Sequence, residues 1–189
     1  GTQSMLLHLG SGGGDARVVD DKAKRPIAIA LFDRLALSAP PPDPSGQMTL
    51  GGSDFSISAW IRTKRGGAIF CKSDPSGPWS ADGKVFFVRG WRLAFDVGWV
   101  GDANSLAKVA DGKWRHVAMT HKANGSVSLY VDGKMSGGNS LRSRDASGHV
   151  ARIGYCATDF CPPFRGDIDE VRVYHRVLSV KELSELAKG

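Results

Sequence analysis

The feature that most constrains this chain is an alternation of apolar and polar side chains, repeated in short segments bounded by turn residues. In FSISAWI (55–61), Phe55, Ile57, Ala59 and Ile61 fall on one side and Ser56, Ser58 and Trp60 on the other. A period of two puts alternate side chains on opposite faces of a β-strand, so one face is built for a core. GAIFCK (67–72), KVFFV (84–88), WRLAFDV (91–97), SLAKV (105–109), WRHVAMTH (114–121), SVSLYV (126–131), VARIGY (150–155) and IDEVRVY (168–174) continue the series. IAIALFDRLAL (27–37) reads as one strand or two short ones, and the four prolines of APPPDPSG (39–46) preclude regular pairing. Asn124-Gly125-Ser126 and Asp132-Gly133 mark tight turns. Only LSVKELSELAKG has helical character, with Ser179 as N-cap, Glu182 completing a capping box, and Leu183 and Leu186 on one side. Many short strands separated by turns indicate an all-β fold, a sandwich or barrel, with a short C-terminal helix.

The 189 residues are 41% hydrophobic and 23% charged, which suits one domain with a real core. Residues 1–25 are Gly-rich and then charged, and are expected to be partly irregular. No apolar run approaches the roughly 18–20 residues of a membrane span, so no membrane insertion is expected. The net charge of +6 has two readings: attraction of acidic polymers, or an ordinary solvated surface. The basic residues are dispersed, and nucleic acid is not an expected partner. GSGGGD (10–15) lacks the strand-to-helix setting and the Lys-Ser/Thr of a phosphate loop.

Cys156 and Cys161, in YCATDFCPPF, are expected to form a disulfide closing a short loop, which implies an oxidising compartment. Cys71, in AIFCK, reads as a buried free thiol. Cys-x4-Cys without a second pair is a poor zinc site.

Catalytic constellations are weak. GDIDEVRVYHR (166–176) carries Asp167, Asp169, Glu170 and His175, but Glu170 has the opposite parity to the two aspartates. No Glu-x-Asp-x-Glu row stands anywhere in the chain. Retaining glycosidases need two carboxyl groups about 5–5.5 Å apart. His116 and His121 have opposite parity on one strand and cannot share a metal. No Gly-x-Ser-x-Gly is present, and no enzyme is expected.

Ligand contact is better supported. Trp79 lies in a loop, and Trp91 and Trp99 each follow a glycine near a strand end, with Arg89, Arg92, Asp96 and Asp102 around them. Flat rings stack on the C–H faces of sugars, while Arg and Asp pair with hydroxyls. The competing reading makes Trp91 a core residue, in line with Leu93, Phe95 and Val97. A second candidate is the loop with Tyr155, Phe160, Phe164 and Arg165, which could equally be a loop-stapling mini-core.

Taken in order, FSISAWI, ADGKWRHVAMT, GSVSLYVDGK, ARIGY and GDIDEVRVYHRVLSVKEL resemble the laminin G-like, concanavalin A-like jelly-roll family, over roughly residues 27–186. The segment FFVRGWRLAFDVGWVGD further resembles a subset appended to large extracytoplasmic bacterial proteins. The resemblance implies a two-sheet antiparallel jelly-roll β-sandwich over the single domain 1–189, with Trp60 and Trp114 in core positions. Such modules commonly bind glycans or proteins, often hold one structural calcium, and are rarely catalytic.

The expectation is therefore a non-catalytic carbohydrate-binding module of a larger extracytoplasmic protein, favouring acidic glycans if charge is used. The alternative is an adhesion module that meets proteins, including other domains of its parent. By parity Asp169 begins an inward row with Val171 and Val173. A buried carboxylate wants calcium, an arginine or backbone N–H donors. Calcium takes about six to eight oxygens, so Asp169 would need helpers such as Asp33.

Overall fold

The computed structural model describes residues 50–189 except Ser76 and Ser147, and the backbone of four short strands before them. Those four are β1 (Ser4–Leu6), β2 (Val18–Val19), β3 (Ala28–Leu31) and β4 (Leu37–Ser38). They are followed by β5 (Phe55–Ser73), β6 (Lys84–Arg89), β7 (Arg92–Val97), β8 (Gly101–Lys108) and β9 (Trp114–His121). Next come β10 (Ser126–Val131), β11 (Lys134–Ser140), β12 (Val150–Ile153), β13 (Arg165–Tyr174) and the helix α1 (Val180–Leu186). Asp33 and the proline-rich stretch lie outside the described residues.

FSISAWI and GAIFCK are not two strands but the two halves of β5, which is 19 residues long. Its first half joins a sheet of order β11-β10-β9-β5-β13-β3-β2, with β1 also on β13. Its second half lies between β12 and β6 in a second sheet that continues through β7 to β8, with β4 on β12. All these pairings are antiparallel. The inward residues of both sheets, among them Phe55, Ile57, Ile61, Met119, Leu129 and Ile168 facing Phe86, Leu93, Phe95 and Val97, make one buried core. This is the expected sandwich, and the alternation that predicted it is the alternation that fills it.

β11 is a strand that the alternation does not announce. Its sequence, KMSGGNS, has no apolar face. Its glycines sit at close approaches: a Cβ on Gly137 would be 2.2 Å from the Asn104 carbonyl oxygen on β8, and one on Gly138 2.3 Å from the Val127 carbonyl oxygen on β10. At the C-terminus, Leu178 and Leu183 cover Ala118 and Tyr130 on the outer face of the first sheet. The Ser179–Glu182 capping box that starts α1 is formed in both directions.

Two expectations need correction. Asp169 does not begin the inward row of β13. The register slips between Asp169 and Arg172, and Glu170 takes a left-handed backbone (φ 47°). A bulge adds one residue and flips the parity after it. Ile168, Val171 and Val173 therefore point inward, while Asp169 faces outward beside its cross-strand partner Trp60. Asp169 is still only 4% exposed; one oxygen accepts the Glu170 N–H at 2.6 Å and Oδ2 has no partner. Burial pushes its carboxyl up to about 6.

The second correction concerns the cysteines. The disulfide is Cys71–Cys156, with Cα atoms 5.5 Å apart, and Cys161 is a buried free thiol. On β5, Phe70 points into the core, so Cys71 points out. The chain leaving β12 is tied to β5 by the Gly154 N–H to Ile69 carbonyl bond, and this lays Cys156 over Cys71.

Both corrections carry predictions. The disulfide closes a sequence separation of 85 residues, so Cys71→Ser should lower stability by about 2–4 kcal/mol, read by thermal or denaturant unfolding. Peptide mapping should recover the Cys71–Cys156 link and one free thiol. For Asp169, the folded state holds its proton up to about pH 6, whereas the unfolded carboxyl loses it near 3.8. Stability contributed by this group is therefore greatest below the lower value and is lost as pH rises through 6. In metal-free buffer Asp169→Asn should stabilise the fold at pH 7.5 by ~1–3 kcal/mol, and the gain should vanish near pH 4. The comparison with the variant isolates this carboxyl from His116. Burial lowers His116 to about 4, so it acts oppositely: the fold loses stability as pH falls through the imidazole range.

Candidate functional site

The second sheet has two different faces. Its inner side chains fill the core, while Val85, Phe87, Arg89, Ala94 and Asp96 alternate with them and face outward. Outside them lies the segment after β12, which the disulfide fixes to β5. The Ala68 N–H donates to the Pro162 carbonyl at 3.0 Å, and Cys156 and Cys161 pack on Ala68, Val85, Phe87 and Ala94. Phe160 is held over this face, its ring centroid 5.2 Å from Trp79 and 6.0 Å from Phe87, edge-on to both.

Six of the sequence candidates meet here: Trp79, Arg89, Asp96, Asp102, Phe160 and, as the loop's clamp, Cys156. Asp96 and Asp102 are directly opposed on β7 and β8. Trp79 donates a side-chain hydrogen bond to Asp96, whose carboxyl is raised by burial and by the charge of Asp102. Asp102 is held below the ordinary carboxylate range, first by its hydrogen bond from Asn104 (3.0 Å) and then by Arg89. Arg89 ion-pairs with Asp102, reaches Asn104 at 3.2 Å, and lies 5.2 Å over the Phe87 ring. Two adjacent carboxyls pushed in opposite directions are a pattern that acid–base catalysis also uses. Here, however, Asp102 is engaged by an arginine and an amide, and Asp96 by an indole, which is the arrangement of a fixed polar surface.

Beside this polar row opens a cleft of about 340 Å³, walled by Arg65, Arg89 and Arg165 with Phe87, Phe160 and Pro162. Its floor contains Gly66 and Gly67, where β5 turns from one sheet to the other with φ of 105° and 118°. A Cβ on Gly66 would stand 2.6 Å from the Val88 carbonyl oxygen, and one on Gly67 2.4 Å from that of Pro163. Only glycine lets the three segments meet. Arg65 carries no signal in the alternation, since it sits between two strand-like segments. The Gly-Gly that follows it was the available clue to a corner.

The other candidates fall elsewhere. Trp91 is 58% exposed and is not core, because Gly90 and Trp91 form the left-handed turn between β6 and β7 (φ 54° and 66°). Trp99, 78% exposed with φ 61°, tips the β7–β8 hairpin. The two rings mark opposite ends of β7, about 20 Å apart at the rise of a strand, and form no common platform. Arg92 donates to the carbonyls of Ser105 and Leu106, bracing the β7–β8 irregularity. Tyr155 is half-buried and does not line the cleft, and Phe164 turns into the main core. Trp60 and Trp114 are half-buried rather than core: Trp60 lies edge-on to His116 on the outer face of the first sheet, and Arg62 covers Trp114. Among the described residues no group of three or more His, Cys, Asp or Glu gathers to hold a metal.

Comparison with known proteins agrees with this architecture. Domain 4 of AbnA, a GH43 extracellular arabinanase from Geobacillus stearothermophilus solved with arabinotriose, superposes with a TM-score of 0.68 at 21% identity, over 98% of this chain and 87% of that one. The CBM40 of a Ruminococcus gnavus IT-sialidase, bound to α2,3 sialyllactose, gives 0.60 at 15% identity over 71% and 83%. The binding domain of Paraclostridial Mosquitocidal Protein 1 gives 0.57 at 16% over 98% and 47%. No curated protein sequence matches the chain. At these identities the superpositions establish the fold, whose family is given by the sequence itself: residues 39–184 match the family model of the concanavalin A-like lectin/glucanases, and the chain belongs to that superfamily.

Proposed function

We propose that this chain is a non-catalytic carbohydrate-binding module of a larger extracytoplasmic protein, and that it binds glycans on the outer face of its second sheet. The observation that carries the reading is the composition of that face. A half-exposed aromatic, Phe160, stands beside a row of fixed hydrogen-bonding groups: Asp96 with Trp79, and Asp102 with Asn104 and Arg89. Stacking surface beside preorganised polar groups is what sugar recognition requires. The solved neighbours that carry arabinotriose and sialyllactose support the same class of ligand. The net charge of +6 favours acidic glycans among them. A disulfide suits an oxidising compartment, and among the described residues no helix is long and apolar enough to cross a membrane. The adhesion alternative rests on the exposed Trp99, Leu106 and Met135.

A structural calcium at Asp169 belongs to the same proposal. Its unpartnered Oδ2 supports a cation, but the remaining oxygens would have to come from backbone carbonyls and from Asp33. With calcium bound, a chelator lowers the melting temperature and Asp169→Asn destabilises at neutral pH. Without it, the chelator has no effect and the substitution stabilises.

Affinity gels loaded with neutral and acidic polysaccharides test the main reading. Phe160→Ala should weaken retention about tenfold while leaving the melting temperature within a few degrees. Wild-type protein that is folded yet retained by no polysaccharide would transfer the assignment to a protein partner. Release of reducing ends would overturn the non-catalytic reading.

A further inference from the structure

We propose that the cleft at the β5 corner seats the anionic group of an acidic sugar, the oxyanion of a uronate carboxylate or a sulfate ester, between Arg65 and Arg165. This rests on the glycan-binding reading above and assigns its charge preference to two side chains. Arg65 and Arg165 are exposed, and among the described residues neither enters an ion pair. No acidic side chain among the described residues lines the cleft. Among the described residues outside the cleft, Arg62 is neutralised by Asp167, Arg115 by Asp111 and Asp132, Arg172 by Glu170, and Arg176 by Glu182, while Arg92 and Arg152 donate to backbone carbonyls. Two guanidinium groups that form no ion pair among the described residues share the lining of one cleft, and the third arginine there, Arg89, is neutralised by Asp102, so the positive charge left in the cleft is that of Arg65 and Arg165.

Their backbone is set firmly. Arg165 opposes Gly66 across β13 and β5. The Thr63 hydroxyl donates to the Arg165 carbonyl at 2.6 Å and accepts the N–H groups of Arg65 (3.0 Å) and Gly66 (2.9 Å). One side chain thus locks the two strand segments from which both arginines project. Guanidinium forks match carboxylate and sulfate oxygens, and such charge-assisted bonds are stronger than neutral ones. Phe160, in the same wall, offers the sugar ring an apolar surface while the anion meets the arginines.

The test uses dextran, dextran sulfate and polygalacturonate as neutral, sulfated and carboxylated probes, with wild type, Arg65→Ala, Arg165→Ala and the charge control Lys181→Ala on α1. Affinity for the acidic probes should fall roughly three- to tenfold with each arginine removed. Dextran binding should not change, and Lys181→Ala should behave as wild type. Loss with one acidic probe alone identifies which oxyanion the seat prefers. Equal losses in Lys181→Ala would overturn the seat in favour of diffuse charge attraction. Acidic binding unchanged in both arginine variants would overturn it too, and would leave the glycan-binding reading standing if Phe160→Ala still weakens retention. Wild type that binds no probe, neutral or acidic, would sink both.

Discussion

The corner in β5 is the constraint on which the rest of the structure depends. A strand of 19 residues serves both sheets only because Gly66 and Gly67 let it turn with backbone angles that a side chain resists. Three segments pass within a Cβ's width of each other there: β5, the end of β6 at Val88, and Pro163 at the approach to β13. The core lies on one side of that crossing and the arginine cleft on the other. Core packing and the arginine cleft therefore share one crossing, and a side chain added at Gly66 or Gly67 would disturb both.

The outer face of the second sheet shows how a sandwich can spend one layer on something besides its core. Its inner residues are as buried as those of the first sheet, and on its outer side Val85, Phe87 and Ala94 are buried as well. The loop over Cys71 then covers part of the outer face with Cys156 and Cys161 and holds Phe160 at the margin. The first sheet solves the same problem differently, by laying α1 over Ala118 and Tyr130. One outer face is closed by a capped helix, and the other is left with a rim of rings, carboxylates and guanidiniums.

Much of this was legible in the residues. Period-two alternation identified the strands from β5 to β10 and β12 and β13, but not β1 and β2, which fall in the stretch expected to be partly irregular, and the Ser179–Glu182 spacing gave the helix start. The failures have definite causes. β11 was invisible because its glycines serve close approach rather than burial. Asp169 was assigned to the wrong face because a bulge changes parity without changing sequence pattern. The disulfide partner of Cys156 was misjudged because nearness along the chain competes with nearness across a sheet, and Cys71 comes close only after β12 pairs with β5. At the site, Arg89, Asp96 and Asp102 could be grouped because they lie on adjacent strands. Arg65 could not, since only the corner in β5 brings it to the cleft that Phe160 also lines.

The two hairpin tips carry a consequence for how the chain's composition is read. Left-handed turn positions favour glycine, asparagine or aspartate, and water-facing positions favour polar groups. Trp91 and Trp99 go against both preferences at once. Each indole thus sits at a backbone position that costs roughly 1–3 kcal/mol, and it is the paired strands on either side of each turn that hold it there.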